Sequence, residues 1–194
     1  MKLATWNVNS LTVRLPQVLD WLLAQTAEGG MDVLALQETK TTDDKFPHQA
    51  FTDAGYHAEW FGQKTYNGVA ILSRAAITPV ATDIPSFTDE QRRVLAVDTA
   101  GLRIIDLYVP NGQEPGSEKF AYKMRWLEAL HGWLAAERAG DRRGSRPRPI
   151  RGDAGIRRVD GNGVHRGVVQ RREILSVLRP QPQQRKRAVH RTEC

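Results

Sequence analysis

The sequence predicts an α/β protein, a sheet-rich core flanked by helices. Three observations carry that expectation. Short apolar runs such as "VLAL", Val33 to Leu36, end abruptly in polar residues, as buried strands do. "RLPQVLDWLLAQ" puts Leu15, Val18, Leu19 and Leu22 on one helical face. Val94 to Thr99 and Leu102 to Tyr108 read as two strands turning at Ala100-Gly101. Strands, hairpins and helices mixed in this way point to an α/β sandwich.

Taken in order, Met1 to Val8 reads as a buried strand, and the helix that follows stops at Gly29-Gly30. Asp32 to Leu36 is a short central strand, and "YHAEWFG", "GVAILS" and "ITPVAT" are further strands. After the hairpin, Phe120, Met124, Leu127, His131 and Leu134 recur at helical spacing, with Ser117 as the N-cap.

After Gly140 the pattern changes. Residues 141–194 hold no Phe, Tyr or Trp and fourteen arginines against one lysine, so they offer little apolar surface to offset the entropy of ordering. We read 1–140 as one folded unit and 141–194 as an arginine-rich tail, largely disordered, with one short helix around "VVQRREILSVL". The bias toward Arg, Pro and Gly is also what a shifted reading frame in GC-rich DNA encodes, and that reading is preferred over a native nucleic-acid-binding arm. The Arg151-Gly152-Asp153 tripeptide is read as chance.

The net charge of +6 divides unevenly. Residues 1–140 carry 13 Lys+Arg against 17 Asp+Glu, a net of −4, and residues 141–194 carry 15 against 5, a net of +10. All of the excess positive charge therefore lies in the last 54 residues. No apolar stretch approaches the roughly 20 residues of a membrane helix, and the start lacks a signal-peptide core. A cytoplasmic, monomeric protein without membrane contact is expected. The single cysteine, Cys194, excludes an internal disulfide.

Three polar residues stand where apolar strands run out: Asn7 after "KLATW", Glu38 after "VLALQ" and Tyr108 at the end of "LRIIDLY". Taken singly, each is more simply a loop residue making a local hydrogen bond. Strand ends in α/β sheets share a rim, however, so the three can meet in one pocket. Lys40, two residues past Glu38, would meet a phosphate or hold the carboxylate, or else stand as a solvated surface lysine.

Together the stretches "TWNVNSL", "LALQETK", "YNGVAILSR", "YVPNG" and "KFAYKMRWL" resemble, in order and spacing, the exonuclease III branch of the endonuclease/exonuclease/phosphatase superfamily, over about residues 1–138. The resemblance implies a four-layer α/β sandwich with two sheets packed face to face between helices. It implies a Mg²⁺-dependent DNA-repair nuclease, Mn²⁺ substituting, that acts on duplex DNA at abasic sites and 3′ ends. By motif position Asn7 and Glu38 would be metal ligands, Tyr108 would contact the scissile phosphate, and Asn67 and Gly68 would lie in a loop facing the DNA. The residue types suit the chemistry, since Mg²⁺ takes oxygen ligands and a phenol donates to a phosphate oxygen.

The resemblance covers the N-terminal half of such a protein, so the sandwich is expected to be incomplete. The first sheet and its helices would be present, and the second half missing, which would leave the first sheet's apolar face open to water. The group that orients the attacking water comes in this family from a Gly-Asp-x-Asn strand end. Here only Asp153 in "PIRGDAGI" stands near that place, a weak match, so the chain by itself is expected to be inactive. The competing readings are a non-catalytic nucleic-acid binder using the arginine tail and a phosphatase of the same superfamily.

Overall fold

The computed structural model describes residues 1–141, 155–160, 163–165 and 173–178. Along the chain run β1 (Lys2–Asn7), α1 (Leu11–Gln25), β2 (Val33–Gln37), α2 (His48–Asp53), β3 (His57–Phe61), β4 (Val69–Ser73), β5 (Ile77–Ala81), β6 (Val94–Thr99), β7 (Leu102–Tyr108), α3 (Glu118–Asp141), β8 (Gly155–Asp160), β9 (Gly163–His165) and β10 (Glu173–Leu178). They form two sheets, ordered β3-β4-β2-β1-β8-β9 and β10-β7-β6-β5. At the centre of the first, β1 lies parallel to both β2 and β8.

Alternation along the strands builds three apolar layers. Ala4, Trp6, Leu34, Leu36, Ala70 and Leu72 face outward from the first sheet and pack with Leu11, Val18, Leu22 and Phe51 of α1 and α2. Leu3, Val33, Ala35, Val69 and Ile71 face inward and meet Leu95, Val97 and Ile104 of the second sheet. The other face of that sheet, with Val94, Ala96, Ile105 and Leu107, is covered by Trp126, Leu130 and Trp133 of α3. Helices, sheet, sheet and helix are the expected four layers. Because β2 and β4 are buried on both faces, they read as near-continuous apolar runs.

One expectation is corrected. The inner face of the first sheet is not open to water, because β5, β6 and β7 already supply a second sheet to cover it. Leu3, Val33, Ala35, Val69, Ile71, Leu95, Val97 and Ile104 are all fully buried. At about 1.5–3 kcal/mol for each large aliphatic side chain buried, this layer is a major source of stability.

A second correction concerns "VVQRREILSVL". The expected helix is instead a strand: Glu173–Leu178 pairs antiparallel with β7, from Glu173 opposite Tyr108 to Leu178 opposite Arg103. A short apolar run cannot declare its period, and the free edge of β7 decides it by offering ladder partners. Residues 142–154, with the Arg151-Gly152-Asp153 tripeptide, lie outside the described residues.

At the end of β6 and start of β7, half-buried Arg103 donates from Nε and Nη2 to Asp98 at 2.5 and 2.9 Å, and from Nη1 to Glu137 of α3 at 2.6 Å. At the start of α3, Ser117 Oγ accepts the Phe120 N–H at 3.1 Å, the N-cap bond expected from sequence. Among the described residues no helix is long and apolar enough to cross a membrane.

Candidate active site

β1 and β2 run parallel, and β7 ends at the same side of the sandwich, so Asn7, Glu38 and Tyr108 reach one rim. Glu38 Oε1 accepts from Asn7 Nδ2 at 2.8 Å and from the Tyr108 hydroxyl at 2.7 Å. The second bond joins residues 70 apart in sequence and spans the two sheets. Lys40 Nζ stands 3.1 Å from Glu38 Oε2 and donates to Asn9 Oδ1 at 2.5 Å. Of the two active roles open to Lys40, holding the carboxylate is the one this geometry displays.

Strict strand alternation would send Glu38 outward, opposite to Gln37. The chain instead takes a left-handed turn at Glu38, with φ 54°, and another at Lys40, with φ 53°. Lys40 thus reaches Glu38 through a loop and not along a strand face. The turn is stitched on one side to the end of β1, where Ser10 N–H bonds Glu38 O at 2.8 Å and Leu11 N–H bonds Thr39 O at 2.8 Å. On the other side, Thr39 N–H bonds Gly68 O at 3.2 Å and Lys40 N–H bonds Asn67 O at 3.0 Å. A Cβ on Gly68, where φ is +85°, would run into Thr39 Oγ1, which explains a glycine there. Asn67 and Gly68 are therefore part of the rim's scaffold. The Asn67 side chain is buried and donates to Gln63 Oε1 at 2.7 Å.

The electrostatics follow from these bonds. Burial alone would raise the Glu38 carboxyl, but the hydrogen bonds from Asn7, Tyr108 and Lys40 outweigh it and hold the group below the usual carboxylate range. Burial, together with the hydrogen bond to the Glu38 carboxylate, pushes the Tyr108 phenol up to about 12. At neutral pH the cluster is thus an anionic carboxylate facing the Asn7 amide, the Lys40 side chain and a protonated phenol. Its oxygens suit a hard divalent cation: the Glu38 carboxylate and the Asn7 amide oxygen, which accepts the Asn9 N–H at 3.1 Å. No group of three or more His, Cys, Asp or Glu gathers among the described residues, so a soft-metal cage is not indicated there.

Sequence reasoning missed Arg93. Its guanidinium lies 4.6 Å from the centre of the Tyr108 ring, and Nη1 donates to Tyr108 O at 3.1 Å. Hairpin register was the available signal, since Val94 pairs with Leu107 and so places Arg93 opposite Tyr108. Beside it opens a polar cavity of about 410 Å³ whose walls include Gln63, Asn67, Arg93, Asn111, Lys119 and Tyr122. By register, Asp160 ends β8 one step past Val159, which pairs with Trp6, and so stands next to Asn7 on the rim. The Asp153 position lies outside the described residues.

Comparison with known proteins agrees with this architecture. The Endonuclease/Exonuclease/phosphatase family profile matches residues 4–172. Exodeoxyribonuclease III of Haemophilus influenzae is 32% identical over 162 residues, which cover 80% of this chain and 58% of that protein. Among solved structures, a 3′-5′ exonuclease (NExo) from Neisseria meningitidis is 43% identical with a TM-score of 0.64, covering 79% of this chain and 55% of that one. An AP endonuclease from Archaeoglobus fulgidus is 34% identical with a TM-score of 0.64, covering 80% and 55%. The chain thus spans a little over half the length of these relatives.

Proposed function

The chain belongs to the Endonuclease/Exonuclease/phosphatase family, and from that premise we propose that its rim cluster is the metal- and phosphate-holding part of a DNA phosphodiesterase site of the exodeoxyribonuclease III type. The observation that carries this reading is the convergence of Asn7 and Tyr108 on one Glu38 oxygen. Glu38 and the Asn7 amide oxygen would hold Mg²⁺ or Mn²⁺, which when bound would polarise a phosphate and stabilise charge on the leaving oxygen. Tyr108, kept protonated by its raised pKa, would donate to a phosphate oxygen. Lys40 keeps Glu38 aimed and ionised. The 63–68 loop, carrying Asn67 and Gly68, would face the duplex. The substrate would be duplex DNA at an abasic site or a 3′ end, taken by a cytoplasmic monomer.

Turnover by the 194-residue chain is expected to be small. Among the residues whose side chains are described, the rim holds one carboxylate, and none is placed to orient a water against the phosphate. Catalytic groups that act as a unit are strongly non-additive, so part of a site yields far less than its share.

The test compares the purified chain with Glu38→Ala. Mn²⁺ affinity should fall by at least about 100-fold, the upper end of what even outer-shell changes cost. Neither protein should cleave abasic-site duplex appreciably in Mg²⁺. Equal Mn²⁺ affinity would remove Glu38 from the metal site, and cleavage by the parent alone would show that the rim is complete.

A further inference from the structure

Directly beneath the rim, the apolar layer between the sheets contains a polar crosspiece. Gln37 Nε2 donates to Thr5 Oγ1 at 2.9 Å and to Asp106 Oδ1 at 2.5 Å. Gln37 and Asp106 are fully buried and Thr5 is nearly so. Their neighbours are Leu3, Ala35, Val69, Leu95 and Ile104, an apolar layer in which amide and carboxylate groups are costly to bury. An all-apolar crosspiece of similar volume would serve stability at least as well.

The placement is systematic. Thr5 lies two residues before Asn7 on β1, Gln37 immediately before Glu38 on β2, and Asp106 two residues before Tyr108 on β7. Alternation puts Thr5 and Asn7 on the inward face of β1, and Asp106 and Tyr108 on the inward face of β7. One amide therefore joins the three strands that deliver the three rim residues, one or two steps below them. The Glu38–Tyr108 bond must bridge two separate sheets, and apolar contact between sheets is non-directional, so it allows them to slide. The Gln37–Asp106 hydrogen bond crosses between the sheets at a fixed length and angle, and the bond to Thr5 within the first sheet holds the amide in place for it, so together they restrain that freedom.

We propose that Gln37, held between Thr5 and Asp106, is a positioning residue that sets the distance and register between Glu38 and Tyr108, and with it the rim's affinity for a divalent cation. This rests on the reading of Glu38 and Asn7 as metal ligands. Outer-shell partners of metal ligands typically contribute about 10–100-fold in affinity, and the crosspiece should fall in that range.

The experiment titrates Mn²⁺ alone into the full chain, follows free Mn²⁺ by electron paramagnetic resonance, and records thermal melting for each variant. In the triple variant Thr5→Val, Gln37→Leu, Asp106→Leu, all three polar groups are removed together. Its Mn²⁺ affinity should drop at least about tenfold, and its melting temperature records what the fold loses with these groups. Asp106→Asn, whose side-chain oxygen can still accept from Gln37, should bind Mn²⁺ nearly as the parent does, and Asp106→Leu should not. A triple variant that binds as well as the parent, while Glu38→Ala binds weakly, overturns the positioning role and leaves the metal site standing. Equal binding by parent and Glu38→Ala overturns the metal site, and this inference with it. If the triple variant melts far below the parent, the Asp106→Asn and Asp106→Leu pair decides: equal affinities overturn the proposal, and retention by Asn alone supports it.

Discussion

The two ends of the sandwich are built on different terms. At the end where β1, β2 and β7 finish, the backbone turns left-handed at Asn9, Ser10, Glu38, Lys40, Thr65, Asn67 and Gln113, seven of the eight non-glycine positions with positive φ among the described residues. At the opposite end the hairpin closes through Ala100-Gly101, and Arg103 locks β6, β7 and α3 with charged hydrogen bonds. Left-handed backbone at a residue with a side chain costs free energy and persists only where the surroundings over-determine it. One end holds strained turns under a polar cluster, and the other holds almost none. The contrast shows where the fold gives up stability for geometry, and that end is the one where the site is proposed.

Substitutions can break or sharpen this contrast. The largest effect on stability belongs to the quiet end. Arg103→Met should cost about 2–4 kcal/mol in chemical denaturation, because it takes the guanidinium from between Glu137 and Asp98, with partial exposure of Asp98 softening the loss. Mn²⁺ binding at the rim should not change. At the strained end, Gly68→Ala should cost about 1–3 kcal/mol and also weaken Mn²⁺ binding, since the new Cβ pushes Thr39 and the turn that aims Glu38. If Gly68→Ala lowers stability alone, the turn and the site are independent.

Relief of strain at the quiet end is smaller. Ala100→Gly, at φ 49°, should raise stability by about 0.5–1 kcal/mol in the same assay without touching the rim. The smallest effect is a pH slope in the 82–93 loop. Burial and the nearby Asp89 carboxylate raise Asp83 to about 6, against a lesser opposing pull from Arg92. The folded state then holds this proton more tightly than the unfolded chain, so the contribution is present below about pH 4 and is lost as pH rises through 6. Asp83→Asn should flatten that slope in melting curves taken between the two values, and an unchanged slope would refute the assignment.

Much of the architecture was legible because period and punctuation agree with burial. The β6–β7 hairpin turns at the residues expected, and Ser117 caps α3. The strand β10 was not legible, since its form depends on the edge of β7, which no local pattern reveals. The six-residue α2, with only Phe51 buried, is too short to show a period. At the rim, Asn7, Glu38 and Tyr108 stood out as polar residues ending apolar runs. Arg93 did not, because its partner Tyr108 is fixed by cross-strand register. Gln37 and Asp106 were hidden for the opposite reason: inside a strand they look like interruptions, and only the packing of one sheet on the other turns them into a crosspiece.

The bond from Tyr108 to Glu38 also has a consequence in time. It closes a loop of 70 residues and joins two sheets, so it cannot form until both sheets exist and have docked. Helix α1 and the β6–β7 hairpin need only neighbours and can appear in microseconds, whereas contacts this distant belong to the slow events of folding. The rim is thus a late-forming part of the molecule. In a refolding experiment the environment of the Tyr108 phenol should become native in the slowest phase, after the bulk of secondary structure has returned.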